Sequence, residues 1–305
     1  MRHFLTIPDL SVEELQQVLR RAVLLKVNRL ARPALLKGKT VALVFQKPSM
    51  RTRVAFEVAV LELGGSVVYL GQDDIQLGSR EPAKDVARVL SRYVHGIVLR
   101  TFGHSVAEEF ARFASVPVIN GLSDLVHPCQ ALADMMTIQE NFGRFQGLKV
   151  AYIGDGNNVL HSLAEACVRL GVSVSVAAPK GYAPEKALWK AAAHEAKRHG
   201  ASLELAHSPK QAVKGADVIY TDVWVSMGQE KEREKRLKVF KGYQIDASLL
   251  KLANPKARVL HCLPAHRGEE IIDDVMEGKQ SLIMDEAENR LHAHKALLEF
   301  LYTHK

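Results

Sequence analysis

The sequence predicts an α/β protein made of two units, each a parallel sheet covered by helices on both faces. Short apolar runs alternate many times with segments of helical spacing, the pattern of repeated β-α-β units. At 305 residues and 47% hydrophobic, the chain is long enough to bury two cores of ordinary domain size. A helical pattern from Leu125 to Phe142, followed by "GRFQGLK", supplies a bridge between two such units.

In chain order, the first helix is expected from Glu13 to Leu30, where Ser11 and Glu14 have the spacing of a capping box. Thr40 to Phe45 reads as a strand, Arg51 to Leu63 as a helix and Ser66 to Leu70 as a second strand. Ala83 to Tyr93 has helical spacing, and Gly96 to Arg100 and Val116 to Ile119 are apolar strand runs. Beyond the bridge, strands are expected at Lys149 to Ile153, Val172 to Ala177, Asp217 to Thr221, Arg258 to Leu263 and Leu282 to Met284. Helices are expected at Val159 to Leu170 and Glu185 to Arg198. The charge run "QEKEREKRLK", Gln229 to Lys238, reads as a solvated helix or a mobile loop.

Composition narrows the function. The net charge of +7 permits nucleic acid or small anions as partners, but Lys and Arg are scattered and aromatics are only 6%. Nucleic-acid binders concentrate charge in stripes, often with aromatics between them, so a small anionic ligand is favoured. Cys129, Cys167 and Cys262 are odd in number and lack CxxC spacing, which argues against a disulfide framework. No segment has the length of a membrane span, and the start lacks an apolar stretch with a small-residue cleavage site. The cytoplasm is the expected compartment.

In sheets of this kind, ligands bind past the carboxyl ends of the strands. There the first unit has "FQKPSMRTR", which puts Arg51 and Arg53 at the start of a helix whose backbone is already the positive end of its dipole. An anion would reverse that penalty, and Ser49, Arg51, Thr52 and Arg53 could surround a phosphate; alternatively, the arginines pair with surface carboxylates and Ser49 is only a cap. The Walker pattern is absent. Arg100 ends a second strand, and "HPCQ" opens a helix after a third. His127 reads as a general acid, as a neutral donor to a developing oxyanion, or as an ordinary cap or core histidine. Gln130 offers an amide able to pair with another amide.

The second unit has "IGDGNNVLHS" where dinucleotide folds carry GxGxxG, but Val159 occupies the third glycine position and no acidic residue ends the next strand. Asn157 and Asn158 suit amide contacts to a polar small molecule. Asp222 ends a strand and suits an ammonium group, or simply caps the turn. "HCLPAHRGEE" mixes His261, Cys262 and His266, so zinc is one rival reading and a cysteine nucleophile another. The cysteines are widely separated and no second pair completes a tetrahedral set, so no metal is expected.

"SMRTR", "HPCQ", "GDGNN", "DVWVSMG" and "HCLP", in that order over nearly the whole chain, resemble the ornithine carbamoyltransferase family. The resemblance implies carbamoyl transfer from carbamoyl phosphate to the δ-amine of ornithine, without metal or cofactor, by trimers or multiples of trimers. It implies two doubly wound domains joined by helices. Residues 1–133, completed by 288–305, would bind carbamoyl phosphate, and 134–287 ornithine, with a last helix from about Glu288 to Tyr302 returning to the first domain.

By the same resemblance, Ser49, Met50, Arg51 and Thr52 hold the phosphate. Arg100, His127, Pro128, Cys129 and Gln130 gather at the carbamoyl group, and Arg290 in "EAENR" joins them. Gln76 in "DDIQLGS" reaches over from a neighbouring subunit. Asn158, Asp222, Ser226 and Met227 bind ornithine, and Cys262 and Leu263 lie beside the reacting amine and the carbamoyl phosphate. Arg51, Arg100, His127 and Cys262 carry the catalysis. One departure stands out: ornithine enzymes commonly have threonine where Met50 stands, while relatives acting on N-acylated ornithine can carry Met or Leu. Transfer to N-acylated ornithine and a non-catalytic ligand-binding paralogue are the alternatives; neither nucleic acid nor membrane is expected as a partner.

Overall fold

The computed structural model describes residues 1–29, 34–77 and 80–304. These divide into two compact units, Met1–Met136 with Glu288–Lys305, and Thr137–Ala287.

The first unit contains α1 (Val12–Val27), β1 (Thr40–Phe45), α2 (Met50–Glu62), β2 (Ser66–Leu70), α3 (Gln72–Ile75), α4 (Ala83–Tyr93), β3 (Gly96–Arg100), α5 (His104–Phe113), β4 (Val118–Leu122) and the start of α6 (Pro128–Phe142). Its sheet has the order β2-β1-β3-β4, and every pair is parallel. Because β1 connects outward to β2 on one side while β3 lies on the other, the order reverses between β1 and β3. A crevice opens past the strand ends at such a reversal. Phe45 pairs in register with Arg100 there, and the Gln46 amide donates to the Arg100 carbonyl at 2.8 Å. Val44, Ile97, Leu99, Val86, Ala107 and Phe110 belong to one buried cluster of this unit.

The second unit contains β5 (Lys149–Ile153), α7 (Asn158–Arg169), β6 (Ser173–Ala177), α8 (Lys186–Arg198), β7 (Leu203–Leu205), α9 (Pro209–Val213), β8 (Val218–Thr221), α10 (Arg233–Val239), α11 (Ala247–Leu250), β9 (Arg258–His261), α12 (Asp273–Met276) and the start of α13 (Ile283–Thr303). Its parallel sheet has the order β7-β6-β5-β8-β9, reversing between β5 and β8. The Thr221 hydroxyl donates to the Ile153 carbonyl at 2.7 Å, locking the two strand ends that flank the reversal.

From Glu288 onward α13 belongs to the first unit. Lys295, fully buried, donates to Glu62 at 2.7 Å, and Arg21 pairs with Glu299 at 2.7 Å. Gly96 is required beneath this helix: a Cβ there would lie 2.3 Å from the Tyr302 hydroxyl, which donates to the His95 carbonyl.

Several elements differ from the sequence expectations. The strand expected at Leu282 to Met284 is absent, because Ile283 already begins α13 and only a single bridge, Ser281 to Val259, extends the sheet. So short an apolar run carries no period that separates strand from helix. The strand expected at Val116 to Ile119 runs instead from Val118 to Leu122, where Phe4 pairs with it. The last core strand stops at His261, since Leu263 adopts φ 59°. β7 escapes the apolar criterion, two of its three residues being exposed. Finally, the first helix ends at Val27; Leu30 of the expected span lies outside the described residues.

Candidate active site

In the first unit, the residues after β1 turn directly into α2. Ser49 is the N-cap and its hydroxyl accepts from the Thr52 amide at 3.2 Å. The first turn of α2 has no acidic residue, so nothing in it offsets the helix dipole. Met50 opens the helix and is 71% exposed. Arg51 is half-buried. Thr52 is fully buried, and its hydroxyl accepts from the Arg290 guanidinium at 2.6 Å. Arg53 turns elsewhere: it pairs with Glu57 at 2.9 Å and lies over the Tyr69 ring.

His127 precedes Pro128, the first residue of α6, and is almost completely buried. Its pKa is held well below the usual histidine value, first by burial and then by the charges of Arg290, Arg100, His294 and Arg51. The three arginines come from α13, β3 and α2, so elements far apart in sequence bring positive charge to one imidazole. A neutral ring that donates a hydrogen bond fits this setting; an imidazolium would add a charge to a crowd of arginines.

Gln130 lies one turn along from His127 and donates from its amide to the Asp134 carboxylate at 2.9 Å, both side chains being buried. Pro128 has no N–H to offer. The Cys129 thiol points into the core, donating to the Asn120 carbonyl at 3.3 Å, and burial pushes its pKa up to about 12. Only its backbone is left for a ligand. Gln76 is exposed at the left-handed cap of α3, φ 44°, and lines a cavity of about 270 Å³ with Gln46, Phe45 and Phe102.

In the second unit, Asp222 follows β8 and is 5% exposed. One of its oxygens accepts from the Asn157 amide at 2.7 Å, the other from the Cys262 thiol at 3.1 Å. Asn157 is the N-cap of α7, its side-chain oxygen accepting from the amides of Val159 and Leu160 and from the Tyr152 hydroxyl. Asn157, not Asn158, is thus the asparagine that touches Asp222. Asn158 is partly buried at the first position of the helix. Ser226 is partly buried, its amide donating to the Gln229 side chain at 3.1 Å, and Met227 is 47% exposed. Leu263 is partly buried, and its amide donates to His261 Nδ1 at 2.9 Å.

Asp222, His261 and Cys262 lie close enough together to suggest a metal site. However, His261 Nδ1 accepts from Leu263 and Nε2 lies 3.1 Å from a Glu270 oxygen, so the imidazole is held as a structural bridge.

The charge run is not a purely solvated face. Arg236, 6% exposed, pairs with Asp155 of "GDGNN" at 2.7 Å, donates to the Trp224 carbonyl and lies over Tyr182. Burial nevertheless raises the Asp155 pKa against the pull of Arg236. The sequence carries no signal for this pair, because 81 residues separate its members.

Residues 2–140 match the family model described as aspartate/ornithine carbamoyltransferase, carbamoyl-P binding domain; residues 146–301 match its Asp/Orn binding domain. An ornithine carbamoyltransferase of Thermococcus kodakarensis is 54% identical over 97% of this chain and 95% of its own length. One from Pyrococcus furiosus named as anabolic is 53% identical over 97% of this chain and 95% of its own. The solved structure of ornithine carbamoyltransferase from Pyrococcus furiosus superposes with a TM-score of 0.96 at 52% identity, covering 100% of this chain and 98% of that one.

Proposed function

Because the chain belongs to the aspartate/ornithine carbamoyltransferase family, we propose that it transfers the carbamoyl group of carbamoyl phosphate to the δ-amine of L-ornithine, giving L-citrulline and phosphate for arginine biosynthesis. The observation that carries this reading is the convergence of Arg51, Arg100 and Arg290 on a buried, neutral His127 beside the amino end of α2. Such a setting is unfavourable when empty of anions and favourable around a phosphate.

The first unit binds carbamoyl phosphate. Ser49, Met50, Arg51 and Thr52 meet the phosphate at the helix start, and Arg290 reaches it beside Thr52. Arg100 and neutral His127 stabilise the carbonyl oxygen as the amine attacks, and Gln130 takes the carbamoyl amide. The second unit binds ornithine: Asp222 holds the α-ammonium, with Asn158, Ser226 and Met227 around the amino acid. As the new C–N bond forms, charge builds on the carbonyl oxygen; as the C–O bond to phosphate breaks, it passes to the leaving group. The amine's surplus proton leaves by way of Cys262 or directly to the departing phosphate. Most of the rate enhancement comes from the fixed donors, since they meet charge that exists only during reaction.

We further assign the protein to the cytoplasm as a homotrimer or a multiple of trimers, with Gln76 contributed to a neighbour's site. Its exposure supports that role. Among the described residues no helix is long and apolar enough to cross a membrane. A citrulline-type colour assay with ornithine, N-acetylornithine and aspartate as acceptors tests the reaction. Product from ornithine alone is expected; product from N-acetylornithine alone would transfer the reading to the acylated substrate. Sedimentation velocity reads the assembly.

A further inference from the structure

His127 stands immediately before α6, and Gln130 and Asp134 follow it on the helix at spacings of three and four residues. Gln130 and Asp134 are buried, and the Gln130 side-chain nitrogen donates to an Asp134 oxygen at 2.9 Å. The hydrogen bond fixes which end of the amide is which, because the end that faces the accepting Asp134 oxygen is the N–H donor. With its nitrogen committed to Asp134, Gln130 turns its carbonyl oxygen away from that carboxylate. An oxygen in this position recognises a donor.

Carbamoyl phosphate has one donor group on its carbonyl carbon, the NH2. Its carbonyl oxygen is an acceptor and is matched by cations and N–H groups such as Arg100 and His127. Given the proposed function, on which this step rests, we infer that Asp134 is a positioning residue that fixes Gln130 in the one orientation able to distinguish a carbamoyl from an acetyl group. Asp134 does not touch the substrate. Acetyl phosphate has the same phosphate and carbonyl but a methyl where carbamoyl phosphate has NH2, so it shares every other contact.

The test compares the affinities of carbamoyl phosphate and acetyl phosphate by calorimetry on the intact protein, for the parent and for Asp134→Asn. Asparagine has the same shape but can donate, which lets the Gln130 amide turn over and present its nitrogen. The preference for carbamoyl over acetyl phosphate should fall about tenfold, chiefly through weaker carbamoyl phosphate binding. General damage to the site would instead weaken both ligands together and leave their ratio unchanged. Gln130→Met, which leaves Asp134 intact, should abolish the same preference, and adding Asp134→Asn to it should change the ratio no further. An unchanged ratio in Asp134→Asn, or one that falls again in the double variant, overturns the inference; if Asp134→Asn does not fold, a ratio retained by Gln130→Met does so. Because these affinities are read without any acceptor amine, a wrong acceptor shows separately, as absent citrulline with the ratio behaving as stated.

Discussion

Past the ends of β1 and β3 the first unit gathers Arg51, Arg100 and Arg290 about His127. Past β5 and β8, at the matching reversal of its own sheet, the second unit gathers Asp222 with the neutral donors of Asn157 and Cys262. Both sheets reverse their strand order at such a point, and the charge there is opposite. The second unit also pairs another buried loop carboxylate, Asp155, with Arg236, while Asp222 accepts from the uncharged Asn157 amide and Cys262 thiol. Repeated β-α-β geometry therefore supplies the place for a ligand, and the side chains after each strand supply its sign. An anion suits the first unit and an ammonium group the second.

The largest effect that could break this comparison is expected at Arg100. Arg100→Ala should reduce kcat/KM about 100- to 1,000-fold, the range for loss of one donor to a developing oxyanion, without lowering the melting temperature in proportion. Steady-state kinetics and a thermal melt check it. Unchanged kinetics would remove the anion from the first unit.

Asp222→Asn keeps the shape and removes the charge. A hydrogen bond to a charged group contributes about 1.5–3 kcal/mol, so half-saturation by ornithine should require roughly 10- to 100-fold more substrate. Saturation by carbamoyl phosphate should barely change. If both parameters shift equally, the assignment of opposite signs to the two units is wrong.

Acid should separate the units by stability. Buried His127 and His294 have pKa values well below the ordinary 6.5, so above that pH the folded and unfolded states are both neutral. As pH falls below 6.5, the unfolded chain takes protons that the folded one refuses. Stability then declines by up to about 1.4 kcal/mol per pH unit per group, until the lowered folded values are reached. Asp155 acts in the opposite sense: its raised pKa makes the folded state take the proton first, which adds stability as pH falls through that value toward 3.8. Denaturant titrations across this range should show a shallower acid-side slope in His294→Gln than in the parent, whereas Asp155→Asn should steepen it.

The smallest effect belongs to Met50. Since Met50 is 71% exposed, Met50→Thr should change the carbamoyl phosphate KM by about twofold or less and leave the ornithine preference over N-acetylornithine intact. A switch in preference would show that this side chain reaches the acceptor.

Much of the architecture was legible in sequence because its signals are local. The strands at Thr40–Phe45, Ser66–Leu70, Gly96–Arg100 and Lys149–Ile153 match their apolar runs residue for residue, and the placement of motifs after strand ends followed from them. Elements fixed by distant partners were not legible: Phe4 shifts β4 by pairing with it, and the helix beginning at Ile283 replaces a three-residue apolar strand. The candidate site divides the same way. Ser49, Thr52, His127 and Asp222 were visible as polar groups at ends of elements. The Asn157 contact with Asp222, the Arg236–Asp155 pair, the inward turn of the Cys129 thiol and the Gln130–Asp134 bond were not.

By itself, then, the sequence determined which residues stand at the strand ends and that one half of the chain presents cations there and the other a carboxylate. Periodicity and residue type act within a few positions, and they sufficed for that. Only the tertiary structure decided that Arg290, 238 residues from Thr52, donates to its hydroxyl, and that burial, aided by three arginine charges, keeps one histidine neutral. Burial and charge depend on what is near in space. Chain separation does not encode that distance.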